Sequence, residues 1–164
     1  MISRDRATGA EERVEGVTNL TVDPGERWLL YSVTGADSLG VDGVYARELA
    51  TGAVTPLKQG TGNYRSLALD EGGTQAAFIT DADAWGQDTV RYALYHAALS
   101  GPRGRSGPQA ATLAVSQADV PSGLQVAERA RVSFVKQGGV LELGLSRILP
   151  DSIPADSLAD KAVV

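Results

Sequence analysis

The chain has no cysteine and only one histidine among its 164 residues. Without cysteine it can form no disulfide, thiolate metal site or cysteine nucleophile, and the redox state of its compartment stays open. A serine hydrolase is equally unsupported, because no Gly-x-Ser-x-Gly segment is present to expose a nucleophile on a tight turn. These absences predict a chain with no catalytic residues, cofactor or metal ion of its own.

Positive charge and long apolar runs are also lacking. The formal net charge is −5 and the isoelectric point is about 4.8, whereas proteins that bind nucleic acids present a basic surface to the phosphates. No stretch approaches the roughly eighteen apolar residues of a membrane span, and the first residues contain no apolar signal segment. We therefore expect neither a nucleic-acid partner nor a membrane span, and the sequence assigns no cellular location.

What the chain does contain is a recurring pattern of short apolar segments and glycine turns. The turn glycines Gly9, Gly52 and Gly101 are 43 and 49 residues apart, a spacing typical of one four-stranded blade of a β-propeller. The apolar residues between them recur with the two-residue period of half-buried strands. The sequence predicts an all-β fold, a partial β-propeller made of four-stranded antiparallel blades.

The clearest predicted blade begins with strands at 17–22 and 28–33, joined by Asp23-Pro24-Gly25-Glu26. Proline followed by glycine suits a type II turn or a related tight hairpin. An equivalent hairpin follows around Asp70-Glu71-Gly72-Gly73, with Gly72 47 residues after Gly25. We expect four units in the chain: a half blade at 1–15, complete blades at 16–60 and 61–119, and a half blade at 120–148.

Two segments depart from this pattern. Residues 101–108 are rich in glycine, proline and arginine, which predicts a flexible surface insertion within the second complete blade. Residues 149–164 are acidic and contain several prolines and serines, which predicts a linker or loop.

Such an arc cannot close a ring, because propellers need four to eight blades. The first glycine turn lies close to Met1, so we expect the chain to open within the second half of a blade. Unpaired strand edges and uncovered apolar faces at both ends predict self-association or marginal stability. The expected partners are the missing blades. A ring of identical chains is an alternative that requires matching ends.

Two residues imitate catalytic groups. Ser146 lies in Gly144-Leu145-Ser146-Arg147-Ile148, where isoleucine replaces the last glycine of a nucleophile elbow. His96 lies on a predicted strand, where a packed or hydrogen-bonded imidazole is favoured over a catalytic base.

The segment Asp81-Ala82-Asp83-Ala84-Trp85-Gly86-Gln87-Asp88 resembles a calcium loop in its three carboxylates and its glycine at the sixth position. However, Trp85 and Tyr92 occupy positions where an EF-hand needs oxygen ligands. A solvated hairpin loop is the favoured interpretation. Trp85 is either an exposed contact residue for a partner or a residue buried between blades.

Two further motifs have structural interpretations. Gly60-Thr61-Gly62-Asn63-Tyr64-Arg65 begins like a phosphate-binding loop but lacks its third glycine and a following helix, so we expect an inter-blade turn. Asn19-Leu20-Thr21 matches a glycosylation site but lies within a predicted strand.

The turn at Asp23-Pro24-Gly25, the strand Trp28-Leu29-Leu30-Tyr31 and the turn Leu49-Ala50-Thr51-Gly52 resemble the TolB-like propeller repeat, also called PD40 or WD40-like. This resemblance covers about residues 1–148. The interrupted blades and the acidic passage after Ile148 are most similar to the N-terminal propeller of the prolyl oligopeptidase family of serine peptidases. In that family the propeller caps an α/β-hydrolase domain, which carries the catalytic serine, aspartate and histidine. No position here corresponds to those three.

The resemblance implies a non-catalytic propeller portion of a serine peptidase. Its partners would be the α/β-hydrolase domain and the peptide substrate of the parent enzyme, to which the propeller limits access. The alternative is a TolB-like scaffold that binds a partner protein and belongs to no enzyme.

Overall fold

The computed structural model describes residues 1–4, 9–35, 42–100, 107–135 and 139–148. Within these ranges the chain is nearly all antiparallel β-structure with two four-stranded sheets, which confirms the predicted fold class. The predicted linker at 149–164 and residues 101–106 of the predicted insertion lie outside the described residues. No helix in the described ranges is long and apolar enough to cross a membrane.

Among the described residues, the connections between strands include two single-turn 3-10 helices, at Ala82–Ala84 and Gln117–Asp119. A first pair consists of β1 (Ile2–Arg4) and β2 (Glu11–Arg13). The first four-stranded sheet consists of β3 (Val17–Val22), β4 (Trp28–Val33), β5 (Gly43–Glu48) and β6 (Val54–Gln59). The second consists of β7 (Tyr64–Leu69), β8 (Gln75–Thr80), β9 (Ala93–Ala98) and β10 (Thr112–Val115). Two further pairs are formed by β11 (Leu124–Val126), β12 (Val132–Val135), β13 (Val140–Leu143) and β14 (Leu145–Arg147).

The last two pairs are parts of one interrupted hairpin. β12 pairs with β13, and β11 pairs with β14 farther along the same two chain segments. Between them Gly144 donates to the Arg131 carbonyl at 3.2 Å and accepts from the Ala127 amide at 3.4 Å. The sequence pattern did not indicate β11, because an irregular stretch separates it from β12.

The sheets stack face to face through three apolar layers. The largest lies between the two four-stranded sheets, and it joins Trp28, Leu30, Val44, Ala46 and Leu57 to Tyr64, Ala76, Phe78, Tyr95, Ala97 and Leu99. A second lies between the second sheet and the last hairpin, where Ala77, Ile79 and Leu94 meet Val126, Ala130 and Val132. A third places Leu29, Tyr31 and Val33 against Met1 and Val14.

The strands β4 and β8 are buried on both faces. In β4, Trp28 and Leu30 enter the layer shared with the second sheet, while Leu29 and Tyr31 enter the layer shared with the β1–β2 pair. Each fully buried side chain of this size contributes about 1.5–3 kcal/mol. This double burial explains why these two strands are continuous apolar runs in the sequence. It also makes each of the two four-stranded sheets dependent on a neighbour at both faces.

A buried aspartate closes the first hairpin of each complete sheet. Asp23 accepts the Gly25 and Arg27 amides at 3.1 and 2.9 Å and the Trp28 amide at 2.5 Å. Forty-seven residues later, Asp70 accepts the Thr74 and Gln75 amides, each at 2.7 Å. Asp23 and Asp70 are 3% and 2% exposed. Their carboxylates satisfy amides of the turn and of the following strand, among them the buried Trp28 amide, which would otherwise lack an acceptor.

Of the two geometries predicted for the first turn, the type II turn is wrong and the related tight hairpin is correct. Gly25 does not have a positive φ; Glu26 does, at 52°, and Gly73 occupies the equivalent position of the second hairpin with φ 61°. The Glu26 and Gly73 amides donate to the carbonyls of Asp23 and Asp70. The left-handed residue therefore falls one position later than a type II turn requires.

Two polar side chains bond the first strands of neighbouring units to each other. Asn19 Nδ2 donates to the Tyr64 carbonyl at 3.1 Å, and Ser66 Oγ donates to the Ala130 carbonyl at 2.5 Å. Each residue adjoins an irregularity in the pairing of its strand. The asparagine of the Asn19-Leu20-Thr21 motif thus has a structural contact between sheets.

Replacing Asp70 with alanine should lower the free energy of unfolding by roughly 2–4 kcal/mol, because two amides and the Thr74 hydroxyl lose a charged acceptor. Asp70→Asn should cost less, since it keeps one oxygen at this position. Urea denaturation measures both. The exposed neighbour Glu71→Ala is the control, and equal effects of Asp70→Ala and Glu71→Ala would contradict the assigned role.

Gly73→Ala should destabilise the chain by about 1–3 kcal/mol, because a non-glycine residue would be held at positive φ. Its added Cβ would also lie 2.8 Å from Asp23 Oδ2 of the neighbouring sheet. Gly72→Ala is the matched control, since Gly72 has no positive φ and its Cβ would come no closer than 3.3 Å to its nearest neighbour. The urea midpoint of Gly73→Ala should be the lower of the two.

Candidate functional site

The longest described loops lie at one end of the sheets. In an antiparallel sheet successive connections alternate between its two ends. The Asp23 and Asp70 hairpins therefore occupy one end, whereas the connections at 60–63 and 81–92 occupy the other. We call this second end the loop face.

A cleft of about 560 Å³ opens on the loop face, between the second sheet and the segment before β12. Trp85 and Val90 of the β8–β9 connection are 52% and 57% exposed at this cleft. Asn63, Arg65, Asp81, Tyr92 and Glu128 supply its polar groups. The cleft therefore combines an accessible aromatic surface with charged and amide side chains, a composition suited to a small organic or peptide ligand.

One wall of the cleft is fixed by the buried Asp81. Its Oδ1 accepts the Asn63 amide at 2.6 Å, and its Oδ2 accepts from Asn63 Nδ2 at 2.9 Å. Gly62 lies so close to the 3-10 helix that a Cβ there would stand 2.8 Å from the Ala82 Cα. The connection at 60–63 joins two sheets, as expected for an inter-blade turn, and its glycine permits close packing on the β8–β9 loop.

The opposite wall is held by an ion pair between two structural units. Arg65 Nη2 on β7 lies 2.9 Å from Glu128 Oε1 in the segment between β11 and β12. Both side chains are partly exposed, so solvent weakens their attraction. Burial raises the pKa of the Tyr92 hydroxyl, and a hydrogen bond from Arg65 opposes part of that increase. Arg65 thus interacts with both Glu128 and Tyr92.

A second polar cluster, formed by Lys58, Asp83 and Tyr95, joins the two four-stranded sheets. Lys58 Nζ lies 3.0 Å from Asp83 Oδ1 and 4.2 Å from the centroid of the Tyr95 ring. The Tyr95 hydroxyl donates to Asp83 Oδ2. Burial opposes ionisation of Asp83, but hydrogen bonds from Tyr95 and Lys58 outweigh it and lower the pKa of this carboxyl.

His96 and Ser146, the two residues that resemble catalytic groups, lie on different strands. His96 Nε2 lies 2.9 Å from Gln75 Oε1, and its ring packs edge-on against Phe134. Neither neighbour is the carboxylate that orients a catalytic imidazole. Ser146 lies on β14 opposite Gln125. These neighbours give His96 and Ser146 roles in strand packing and pairing.

Asp81 and Asp83 of the calcium-like segment have separate surroundings. Asp81 binds Asn63 and Asp83 binds Lys58 and Tyr95, so their oxygens serve different partners. No group of three potential metal ligands converges within the described ranges. The expectation of a solvated loop is wrong for Asp81, which is buried, and correct for the exposed Asp88.

Sequence reasoning identified Trp85 but missed its polar neighbours in the cleft. Its exposure excludes the alternative in which it is buried between blades. Asn63 and Arg65 belong to a glycine-rich motif that predicts only an inter-blade turn, and Glu128 belongs to no motif. No sequence signal could have predicted that Arg65 and Glu128 are neighbours, because they come into contact only when separate units stack.

No model of a known protein family matches the chain, and no curated protein matches its sequence significantly. The functional argument therefore depends on the fold, the cleft and the residues themselves.

The Asp83 cluster predicts a pH-dependent contribution to stability. Because folding lowers the pKa of Asp83, its stabilisation is complete above the unfolded value of about 3.9 and disappears as pH falls through the lower folded value. Asp83→Asn should therefore destabilise the chain at pH 7, and its difference from the unsubstituted chain should shrink below pH 4. Urea denaturation between pH 7 and 3 measures this, with the exposed Asp88→Asn as control. A constant difference across this range would contradict the assignment.

Proposed function

We propose that this chain is a non-catalytic propeller portion of a prolyl-oligopeptidase-like serine peptidase. It would limit the access of peptides to an α/β-hydrolase domain and bind part of the peptide at the loop face. The observation that carries this proposal is the cleft beside Trp85, located where the connections of stacked, blade-like sheets meet.

The stacking of the sheets supports a role within a larger ring. Two complete sheets and two-stranded units at both ends pack through buried faces. Propellers close with four to eight such sheets. In such a ring, neighbouring blades would cover the outer faces of the two-stranded units.

The chemistry of the cleft supports a peptide as its ligand. An exposed indole such as that of Trp85 can stack on proline or aromatic rings. Arg65 and Asn63 present donors that suit peptide carbonyl groups, while Glu128 can accept from peptide amides or a terminal amine. These groups are sufficient for binding and orientation, and the peptide bond would be cleaved by residues of the hydrolase domain.

The alternative proposal is a TolB-like scaffold that uses the same cleft to bind a segment of a partner protein. The exposure of Trp85 favours this function as well, since solvent-accessible aromatic residues on loops often anchor protein contacts. The two proposals agree on peptide recognition and differ in the presence of a hydrolase domain.

The coding sequence that adjoins this chain distinguishes the two proposals. The peptidase proposal expects further blade repeats, then a Gly-x-Ser-x-Gly segment followed by aspartate and histidine. Further repeats that end without such a segment would overturn it and leave the scaffold. Reading the gene to its stop codon decides the question without requiring folded protein.

Peptide binding at the cleft should depend on Trp85. We expect a short proline-containing peptide, acetyl-Ala-Gly-Pro-Phe-amide, to bind in isothermal titration calorimetry, and Trp85→Ala to weaken its affinity at least tenfold because the stacking surface is lost. Leu113→Ala is the control, since Leu113 is 51% exposed on β10 and is not among the residues that line the cleft. Equal affinities of the Trp85→Ala variant and the unsubstituted chain would contradict peptide recognition here, as would the absence of binding by the latter.

A further inference from the structure

The first strands of the two four-stranded sheets each contain a β-bulge, but at different positions. The two sheets repeat after 47 residues, the spacing of their closing aspartates. In β3 the pairing with β4 passes from Val17 directly to Asn19, so Thr18 is the extra residue. In β7 the pairing with β8 is irregular between Arg65 and Ala68. The bulge therefore lies farther along β7 than along β3.

The different bulge position changes which residue of β7 occupies a given place in the sheet. Asn19 lies opposite Ser32, and Arg65 lies opposite Ile79. Ile79 follows Ser32 by 47 residues, but Arg65 follows Asn19 by only 46. The repeat spacing alone would place Ser66 opposite Ile79. The displaced bulge thus gives Arg65 the position that Asn19 has in the first sheet.

This position directs a side chain toward the next unit of the stack. Asn19 Nδ2 donates to the Tyr64 carbonyl of the second sheet at 3.1 Å. Arg65 Nη2 lies 2.9 Å from Glu128 Oε1, in the segment before β12. Bulges are common beside binding sites, where they change the direction of a side chain. The bulge of β7 therefore accounts for the contact of Arg65 with the far wall of the cleft.

The displaced bulge holds Ser66 in a left-handed conformation. Its φ is 54°, and a bulge that requires such a residue usually has glycine there. Thr18, the extra residue of β3, has no positive φ. A bulge at the earlier position therefore needs no left-handed residue, and the arrangement in β7 is the more strained of the two.

One hydrogen bond joins this strained residue to the opposite wall of the cleft. Ser66 Oγ donates to the Ala130 carbonyl at 2.5 Å. The Ala130 amide donates to the Ala127 carbonyl at 2.9 Å and closes a turn that contains Glu128. Strained conformations persist where surrounding contacts enforce them. The Ser66 hydroxyl therefore connects the bulge beside Arg65 to the turn that carries Glu128.

We propose that Ser66 is a positioning residue for ligand binding at the cleft. Its hydroxyl keeps the bulge at the displaced position, and the bulge keeps Arg65 directed at Glu128 and at the bound peptide. Ser66 is not among the residues that line the cleft, so it acts through Arg65. Without the hydroxyl, the pairing should change to that of the first sheet, with position 66 opposite Ile79 and Arg65 as the extra residue. The inference rests on the proposed recognition of a peptide at this cleft.

Two substitutions of Ser66 test the register. Ser66→Ala and Ser66→Gly both remove the hydroxyl, but only glycine adopts a positive φ without steric cost. The bulge should therefore move in Ser66→Ala and stay in place in Ser66→Gly. Nuclear Overhauser effects between backbone protons identify the residue opposite Ile79, which should be Arg65 in the unsubstituted chain and in Ser66→Gly, and position 66 in Ser66→Ala. Arg65 opposite Ile79 in Ser66→Ala would overturn the proposal.

Isothermal titration calorimetry with acetyl-Ala-Gly-Pro-Phe-amide tests the effect on binding. Ser66→Ala should weaken the affinity roughly fivefold, the effect of about one hydrogen bond, because Arg65 is no longer held in the cleft. Ser66→Gly should lose less. Asp70→Asn is the control for stability, since it weakens the same sheet at the end opposite the loop face and should not change the affinity. Equal affinities of the two Ser66 variants, or an equal loss in Asp70→Asn, would overturn the positioning role.

Failure of this inference can be distinguished from failure of the proposed function. If the unsubstituted chain binds the peptide and Trp85→Ala weakens binding, equal affinities of the two Ser66 variants overturn the role of Ser66 alone. If the unsubstituted chain binds no peptide, the proposed recognition fails and the role of Ser66 in binding fails with it. The register measured by nuclear Overhauser effects needs no ligand and still decides whether Ser66 holds the bulge.

Discussion

Each sheet of this chain must be covered on both faces. Strands β4 and β8 send successive apolar side chains into different layers, so neither face can remain in water without exposing part of the core. The stacked arrangement follows from this requirement. Leu20 and Val22 of the first sheet are apolar and are 56% and 44% exposed.

Polar groups make the stacking specific. Asp23 and Asp70 close equivalent hairpins, while Asn19 and Ser66 bond the first strand of one unit to the backbone of the next. Apolar layers alone would tolerate sliding of one sheet over another, because burial has no preferred direction. Hydrogen bonds between fixed partners remove that freedom. They also bring the loops of neighbouring units into the arrangement that forms the Trp85 cleft.

The cleft is a consequence of stacking more than of any local motif. Trp85 belongs to a loop of the second sheet, Arg65 to its first strand, and Glu128 to the following unit. The geometry of the cleft therefore depends on the packing of the last hairpin, because a change in that packing would displace Glu128 relative to Arg65.

The sequence alone determined the all-β class, the four-stranded units and most strand positions, because two-residue periodicity and glycine turns are local properties. It left the first turn open between a type II turn and a related tight hairpin, and it did not indicate that the left-handed conformation falls on Glu26. It also gave no sign of β11. Only the tertiary structure decided that Asp81 is buried, that Trp85 is exposed, and that Arg65 meets Glu128. These outcomes depend on contacts between residues far apart in the chain, which no local pattern encodes.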